Sequence, residues 1–333
     1  MIFSPTSKRL ATGLALTAII GACSGSDARS PVAPSLAAEL QTGSRTFKVA
    51  TWNIRSGMGI RGFATTSWSH ETLNCTDRSK PLNAWGMGLP QAELERIKAD
   101  PAIVALAVQE AWNCAFPQHI NGVLGFKTAS GERNGTALFA RYGLSGPVKY
   151  HQIDARANQW LVGGDVCLDA ACAATLPMYS VHFGDTTSDG VPVQAQRVLD
   201  LLAAHGGARL FMGDLNVHQT DTWNPRVPCT ADDHPDMSRT IGMIEGAGYA
   251  DAWKATQSSE GWTGMASRPG CGSPLGNLYK RIDYVYSAGG LRTLSTDRFA
   301  RTAPGTDAPS DHVGLTAELL FTPPRGAQAG DTP

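Results

Sequence analysis

The chain has 333 residues, 42% of them apolar and 17% charged, with a net charge of −1 and seven cysteines. The composition suits one globular domain large enough for a two-sheet core, and there is no internal repeat or low-complexity block within it. No cysteine cluster has the spacing of a zinc site, which excludes a thiolate metal centre.

The chain opens with Lys8 and Arg9, then an apolar stretch from Leu10 to Gly21. That stretch is too short to span a bilayer as a permanent helix and reads as a secretory signal. It ends Ile20-Gly21-Ala22-Cys23, which resembles a bacterial lipoprotein signal whose Cys23 becomes the lipidated first residue. Residues 1–22 are therefore expected to be a signal peptide and 23–45 a flexible tether rich in Ser, Ala, Pro and Gly. A folded domain is expected over 46–322, and 323–333 is a tail too poor in apolar residues to pack. Removing residues 1–22 takes away Lys8 and Arg9 and no acid, so the charge of −1 becomes −3. No basic surplus remains to advertise binding to a nucleic-acid backbone, which neither supports nor excludes such a partner.

The first strand is predicted over Phe47–Trp52, ended by Asn53. A long excursion, 55–88, follows with Trp68, His70, Trp85, Arg55, Arg61, Arg78 and Lys80; it forms a substrate wall, and its aromatics stack on bases, sit in a lipid interface or form a satellite core. A helix is predicted over Gln91–Asp100, because Leu94 and Ile97 lie three apart among charges and Pro101 stops it. Strand Ile103–Val108 ends at Glu110, and strand Met178–Val181 ends at His182. A second helix is predicted over Val193–Ala204, with Val198, Leu201 and Leu202 on one face and Gly206-Gly207 as its terminator. Strand Arg209–Met212 leads to Asp214 and Asn216; Arg-Ile-Asp-Tyr carries Asp283, and Ser-Asp-His carries Asp311 and His312.

Polar groups at the ends of apolar strands are costly unless they are paired or bind something. Six such ends, with four carboxylates, two histidines and two asparagines, describe one convergent site suited to a hard divalent cation and a phosphate ester. The ordered series, from about Phe47 to Phe321, resembles the endonuclease/exonuclease/phosphatase superfamily, the deoxyribonuclease I-like phosphoesterases. The resemblance implies an α/β (α+β) fold: a four-layer αββα sandwich of two packed, mostly antiparallel sheets flanked by helices. It implies Glu110 as the principal metal ligand, with Asn53 and Asp311 beside it, and Mg2+ as the ion, Mn2+ or Ca2+ being alternatives. Asp214 would orient or deprotonate the attacking water beside Asn216, although an Asx turn is the common fate of such residues. His312 would be the second catalytic pole, oriented by Asp283 rather than by its sequence neighbour Asp311, and His182 would donate to a nonbridging oxygen.

The strand around Gly131–Arg141 departs from the family pattern. Where the family carries a carboxylate this chain aligns Asn134, so the acid that would orient His182 is either missing or supplied by Glu132. Arg141 either contacts phosphate or caps the strand edge. Apart from Cys23, six cysteines in an exported protein suggest disulfides. Cys167–Cys172 flank a short turn, Cys229–Cys271 bracket the segment between two motifs, and Cys75–Cys114 remain by elimination. The expected activity is that of a monomeric, lipid-anchored, envelope-located phosphodiesterase hydrolysing DNA or RNA. The alternatives are a sphingomyelinase-type phospholipase, a phosphoinositide or sugar phosphatase, and a non-catalytic binding protein on the same scaffold.

Overall fold

The computed structural model describes residues 44–55, 88–111, 117–131, 133–184, 190–218, 237–265, 278–301 and 308–323. The signal segment, Cys23, Glu132, Cys75, Cys114, Cys229, Cys271 and most of the excursion and tail lie outside the described residues. In chain order the elements begin with β1 (Arg45–Asn53), α1 (Gly88–Ala99), β2 (Ile103–Gln109), α2 (Pro117–Leu124), β3 (Thr128–Ala129) and β4 (Ala137–Ala140). Next come β5 (Lys149–Asp154), β6 (Gln159–Cys167), β7 (Thr175–His182), α3 (Gly190–Ala203), β8 (Arg209–Asp214), α4 (Met237–Gly246) and β9 (Ala250–Asp251). The chain closes with α5 (Ala252–Thr256), β10 (Gly264–Met265), β11 (Leu278–Lys280), β12 (Asp283–Ala288), β13 (Leu291–Phe299) and β14 (Gly314–Phe321).

Two six-stranded sheets form, in the orders β13-β14-β1-β2-β4-β3 and β5-β6-β7-β8-β12-β9. The alternation of side chains along each strand explains why the sheets stack. Phe47 and Val49 of β1, Leu210 and Met212 of β8 and Val285 of β12 share one cluster between the sheets. Ala50, Trp52, Leu106 and Val108 point the other way and pack with Leu94, Ile97, Ile120 and Leu124 of α1 and α2. Tyr179, Val181 and Phe211 likewise pack outward against Val198 and Leu202 of α3 and Ile241 and Ile244 of α4. Three apolar interfaces thus separate four layers, the αββα sandwich expected from the sequence. Strand β2 is buried along its whole length, hence its uninterrupted apolar run.

Both helices predicted over 91–100 and 193–204 are present, each starting three residues earlier than expected. In α3, Leu199 is buried beside Val198 and Leu202, whereas Leu201 is only half-buried. The turn after β6 is closed by the Cys167–Cys172 disulfide.

Each sheet is antiparallel except at one central pair: β1 runs parallel to β2 and β7 parallel to β8. Parallel neighbours end at the same edge, so Asn53 is level with Gln109 and His182 is level with Asp214. Antiparallel β12 starts where β8 ends, placing Asp283 opposite Asp214. Beneath these ends a polar bridge crosses the core: Thr51 Oγ1 donates to Gln109 Oε1 (3.4 Å), and Gln109 Nε2 donates to Ser180 Oγ (3.1 Å). Gly213 admits that bridge, since a Cβ there would lie 3.0 Å from Gln109 Nε2 and 1.8 Å from the Val181 carbonyl oxygen.

Candidate active site

Asn53 joins the two sheets. Its Nδ2 donates to Glu110 Oε1 and to Asp214 Oδ2, each at 3.0 Å, and its Oδ1 accepts the Arg55 N–H, also at 3.0 Å. Both heteroatoms of the amide are therefore engaged with protein. Asn53 thus aligns the two carboxylates.

Asp214 is 1% exposed and stands at the centre of the group. Its Oδ1 accepts the Asn216 N–H (2.8 Å), while Oδ2 lies 3.6 Å from His182 Nε2 and 3.7 Å from His312 Nε2. Asn216 does not continue the strand, as its φ of 50° turns the chain into the left-handed region. The Asx turn and the site role therefore coexist. That turn brings Asn216 Nδ2 to 3.2 Å from His182 Nε2 and lets it donate to the Phe183 carbonyl (2.8 Å). His182 Nδ1 is buried and has no hydrogen-bond partner among the described residues.

His312 Nδ1 donates to Asp283 Oδ2 at 2.9 Å, whereas Asp311 Oδ1 is 3.9 Å from Nε2. Burial would lower the pKa of His312, but Asp283, Asp214 and Asp311 outweigh it and raise it to about 10. Burial in turn pushes the Asp283 carboxyl above its ordinary value, against the pull of His312. The hydroxyl of Thr263 accepts the Asp283 N–H (3.1 Å), and the Trp52 indole donates to the His312 carbonyl (3.2 Å). Ser310 Oγ donates to the Asn53 carbonyl (2.7 Å) and accepts the His312 N–H (3.2 Å), coupling the histidine loop to the end of β1.

Three participants were not singled out in the sequence. Arg55, 1% exposed, places Nε 3.4 Å from Asp311 Oδ2, although its position suggested only part of a basic loop. Ser310 and Gln109 each sit one residue from a predicted site residue and support it through hydrogen bonds. Their adjacency to the motifs was the available signal.

Arg141 and Asn134, the two residues expected to contact substrate, are held by protein carbonyls. The Arg141 guanidinium donates to the carbonyls of Ile97, Lys98, Asp100 and Ile103 and stacks on Phe126 at 4.5 Å. It caps the end of α1 and the start of β2, so it is engaged away from the carboxylate cluster. Asn134 is a turn residue with φ 47°, its amide donating to the Ala157 carbonyl at 3.5 Å. It bonds to a neighbouring loop and to none of the cluster.

The donors present fit a hard divalent cation. Burial raises the pKa of Glu110, with Asp311 adding to the rise and His182, Asn53 and His312 opposing it. A carboxylate in that position is stabilised by a nearby cation, and oxygen ligands are what magnesium-like ions take. Ligand atoms of Asp214, Asp283 and His312 also lie within 4.8 Å of one another. Asp283 and His312 are hydrogen-bonded to each other, Asp311 is paired with Arg55, and Glu110 is bonded to Asn53. Glu110 adopts φ 54°, a strained conformation of the kind that gathers at functional sites.

A sandwich of two mixed sheets that ends in acids, amides and imidazoles at adjoining strand termini belongs to the metal-dependent phosphoesterase class of hydrolases. The family model for the Endonuclease/Exonuclease/phosphatase family matches residues 50–312, and the chain belongs to that family. Comparison with curated proteins returned no significant match. Among solved structures, a family protein from Bacteroides thetaiotaomicron is 13% identical, with TM-score 0.56, covering 84% of this chain and 98% of that one. D. rerio TDP2 complexed with single strand DNA product is 14% identical, with TM-score 0.55, covering 82% and 98%. A mannosyl-6-phosphatase from Bacteroides thetaiotaomicron is 15% identical, with TM-score 0.54, covering 83% and 100%.

Proposed function

We propose that the protein is a divalent-metal-dependent phosphodiesterase that hydrolyses nucleic acid by water attack on phosphorus. The observation that carries this reading is the position of Asp214 Oδ2, held by Asn53 at 3.0 Å and facing both His182 and His312 within 3.7 Å. A buried carboxylate fixed between two imidazoles is placed to orient a nucleophilic water and receive its proton. His312, kept protonated by Asp283, offers positive charge to the oxygens that become more negative in the transition state. His182 and Asn216, both facing the same space, orient a nonbridging oxygen. Glu110 and Asp311 would hold the ion, Mg2+ or in its place Mn2+ or Ca2+, whose chemistry is to neutralise charge on the phosphoryl group and leaving oxygen.

Structures of this fold include one with single strand DNA product and one named a mannosyl-6-phosphatase, so the choice between substrates rests on this chain's own residues. The basic side chains that the described residues bring beside the carboxylates are His182, His312 and Arg55, with no lysine among them. Val193 is the one large apolar side chain that is exposed among the described residues. It lies on α3, on the outer face of its sheet, so the described residues present no apolar apron for a lipid surface beside the site. The signal-like start and Cys23 support an exported, lipid-anchored location, to which the Cys167–Cys172 bridge adds chemical sense.

The test is plasmid DNA incubated with the protein and Mg2+, beside a His312→Ala control. Nicking that requires metal and disappears in the variant is expected. Hydrolysis of a generic phosphodiester without any nicking would transfer the assignment to a lipid or small-molecule ester.

A further inference from the structure

The register of the second sheet brings an aromatic side chain beside the catalytic histidine. Leu161 pairs with Val181, so the next pair outward is Trp160 opposite His182. Directly opposed residues in an antiparallel pair share a face, with Cβ atoms about 5 Å apart. Leu161 and Val181 both pack under the helices, which puts Trp160 and His182 on the side of the site. Trp160 is half-buried and joins none of the apolar clusters of the described residues.

Its orientation is nevertheless fixed. Trp160 Nε1 donates to Asn158 Oδ1 (2.9 Å), and the same oxygen accepts Gln152 Nε2 (3.3 Å) from the residue paired with Trp160 on β5. Asn158 is exposed and adopts φ 53°, a conformation uncommon outside glycine. The Asn158 side chain thus holds the indole by its edge, and among the described residues the ring face belongs to no apolar cluster. One pair further along the same face is Tyr150, opposite Val162, with the Arg133 guanidinium stacked 4.5 Å from its ring. The turn carrying Arg133 is tied to the metal side of the site, because the Ala111 N–H donates to the Gly135 carbonyl at 2.8 Å. A rail of His182, Trp160, Tyr150 and Arg133 therefore leads away from the reacting phosphorus.

We propose that Trp160 is a specificity-determining stacking platform for the nucleobase attached next to the scissile phosphate, with Arg133 over Tyr150 meeting the strand further on. The proposal rests on the nucleic-acid reading above and narrows it to substrates with an unpaired base beside the cleavage point, because stacking on an indole face requires a base freed from its duplex neighbours. Base-aromatic stacking tolerates any base, so sequence preference at that position is weak.

The experiment measures binding by fluorescence anisotropy in a His312→Ala background with Mg2+. The probes are a short single-stranded oligodeoxynucleotide and an abasic oligomer of equal length, and cleavage of the first is followed in the wild-type protein. Trp160→Leu is expected to weaken binding of the base-bearing strand roughly five- to hundredfold. The abasic strand should bind unchanged, and Trp160→Phe should restore most of the loss. Equal weakening of both probes would make Trp160 a structural residue and overturn the platform, as would unchanged binding of both. Wild-type protein that neither binds nor cuts the oligonucleotide would overturn the nucleic-acid reading itself and the platform with it.

Discussion

Asn53 and Asp214 belong to different sheets, and the 3.0 Å hydrogen bond between them joins the sheets at the point where both parallel strand pairs end. A second hydrogen from the same amide nitrogen holds Glu110 at 3.0 Å. One neutral side chain thereby sets the spacing of the Glu110 and Asp214 carboxylates.

Asn53→Ala should leave both carboxylates without their shared donor and let them repel. Loss of a group that orients such carboxylates typically reduces activity or metal affinity about ten- to hundredfold. The expected outcome is a fall of that size in kcat/KM, with a higher Mg2+ concentration for half-maximal rate. A titration of activity against Mg2+ for both proteins decides it, and an unchanged Mg2+ dependence would refute the alignment role.

The strand ends could be read from the sequence because a polar side chain closing an apolar run must find a partner, and Asn53, Glu110, His182, Asp214, Asp283, Asp311 and His312 do converge. Asp283 as the partner of His312 came from the family resemblance, and the structure shows the bond. Reach and turning were hidden. Arg141 has a side chain long enough to serve either a ligand or four carbonyls, and only the packed end of α1 decides for the carbonyls. The spacing of Asp214 and Asn216 does not say which way the chain goes next; the Asp214 carboxylate captures the Asn216 N–H and turns it. The Thr51–Gln109–Ser180 bridge depends on which strands of two sheets face one another, and no local pattern encodes that.

Gly213→Ala tests how tightly that bridge and the site are built together. The added Cβ would meet the Val181 carbonyl oxygen at 1.8 Å and the Gln109 amide at 3.0 Å, and backbone in the middle of a sheet has little room to yield. Overpacking of this kind costs about 1–3 kcal/mol or more, and each kcal/mol shifts the melting temperature by roughly 2–4 °C for a domain of this size. A melting temperature lowered by about 5 °C or more is expected in scanning calorimetry. A variant as stable as wild type would show that β7 and β8 yield more easily than their pairing indicates.

His312 supplies a pH dependence whose sign follows from its partners. Burial opposes its charge, but Asp283, Asp214 and Asp311 prevail and lift its pKa to about 10 in the folded protein, against roughly 6.5 for an unfolded histidine. A raised pKa means that the stabilisation is complete below about pH 6.5 and is lost as the pH rises through about 10. In EDTA, the wild-type melting temperature should therefore fall over that window more steeply than that of His312→Gln. Parallel profiles for the two proteins would show that the Asp283–His312 pair does not hold the proton.

Glu110→Gln sets stability against function. Burial raises the carboxyl's pKa, and for an acid a raised folded pKa means that the ionised form destabilises the folded state at any pH above its unfolded value. Removing the charge should accordingly increase the melting temperature of the metal-free protein at neutral pH, while the Asn53 side chain keeps an amide oxygen to bond. The same change takes away the anionic oxygen proposed to hold the cation, so Mg2+ should stabilise wild type and leave the variant almost unmoved. Activity at saturating Mg2+ should fall at least about tenfold, within the range seen when the surroundings of a metal are disturbed. Thermal melts of both proteins with EDTA and with Mg2+ give all the comparisons in one experiment. A variant that is less stable than wild type in EDTA, or that gains as much from Mg2+, would move the metal away from Glu110 and toward the Asp214 side of the site.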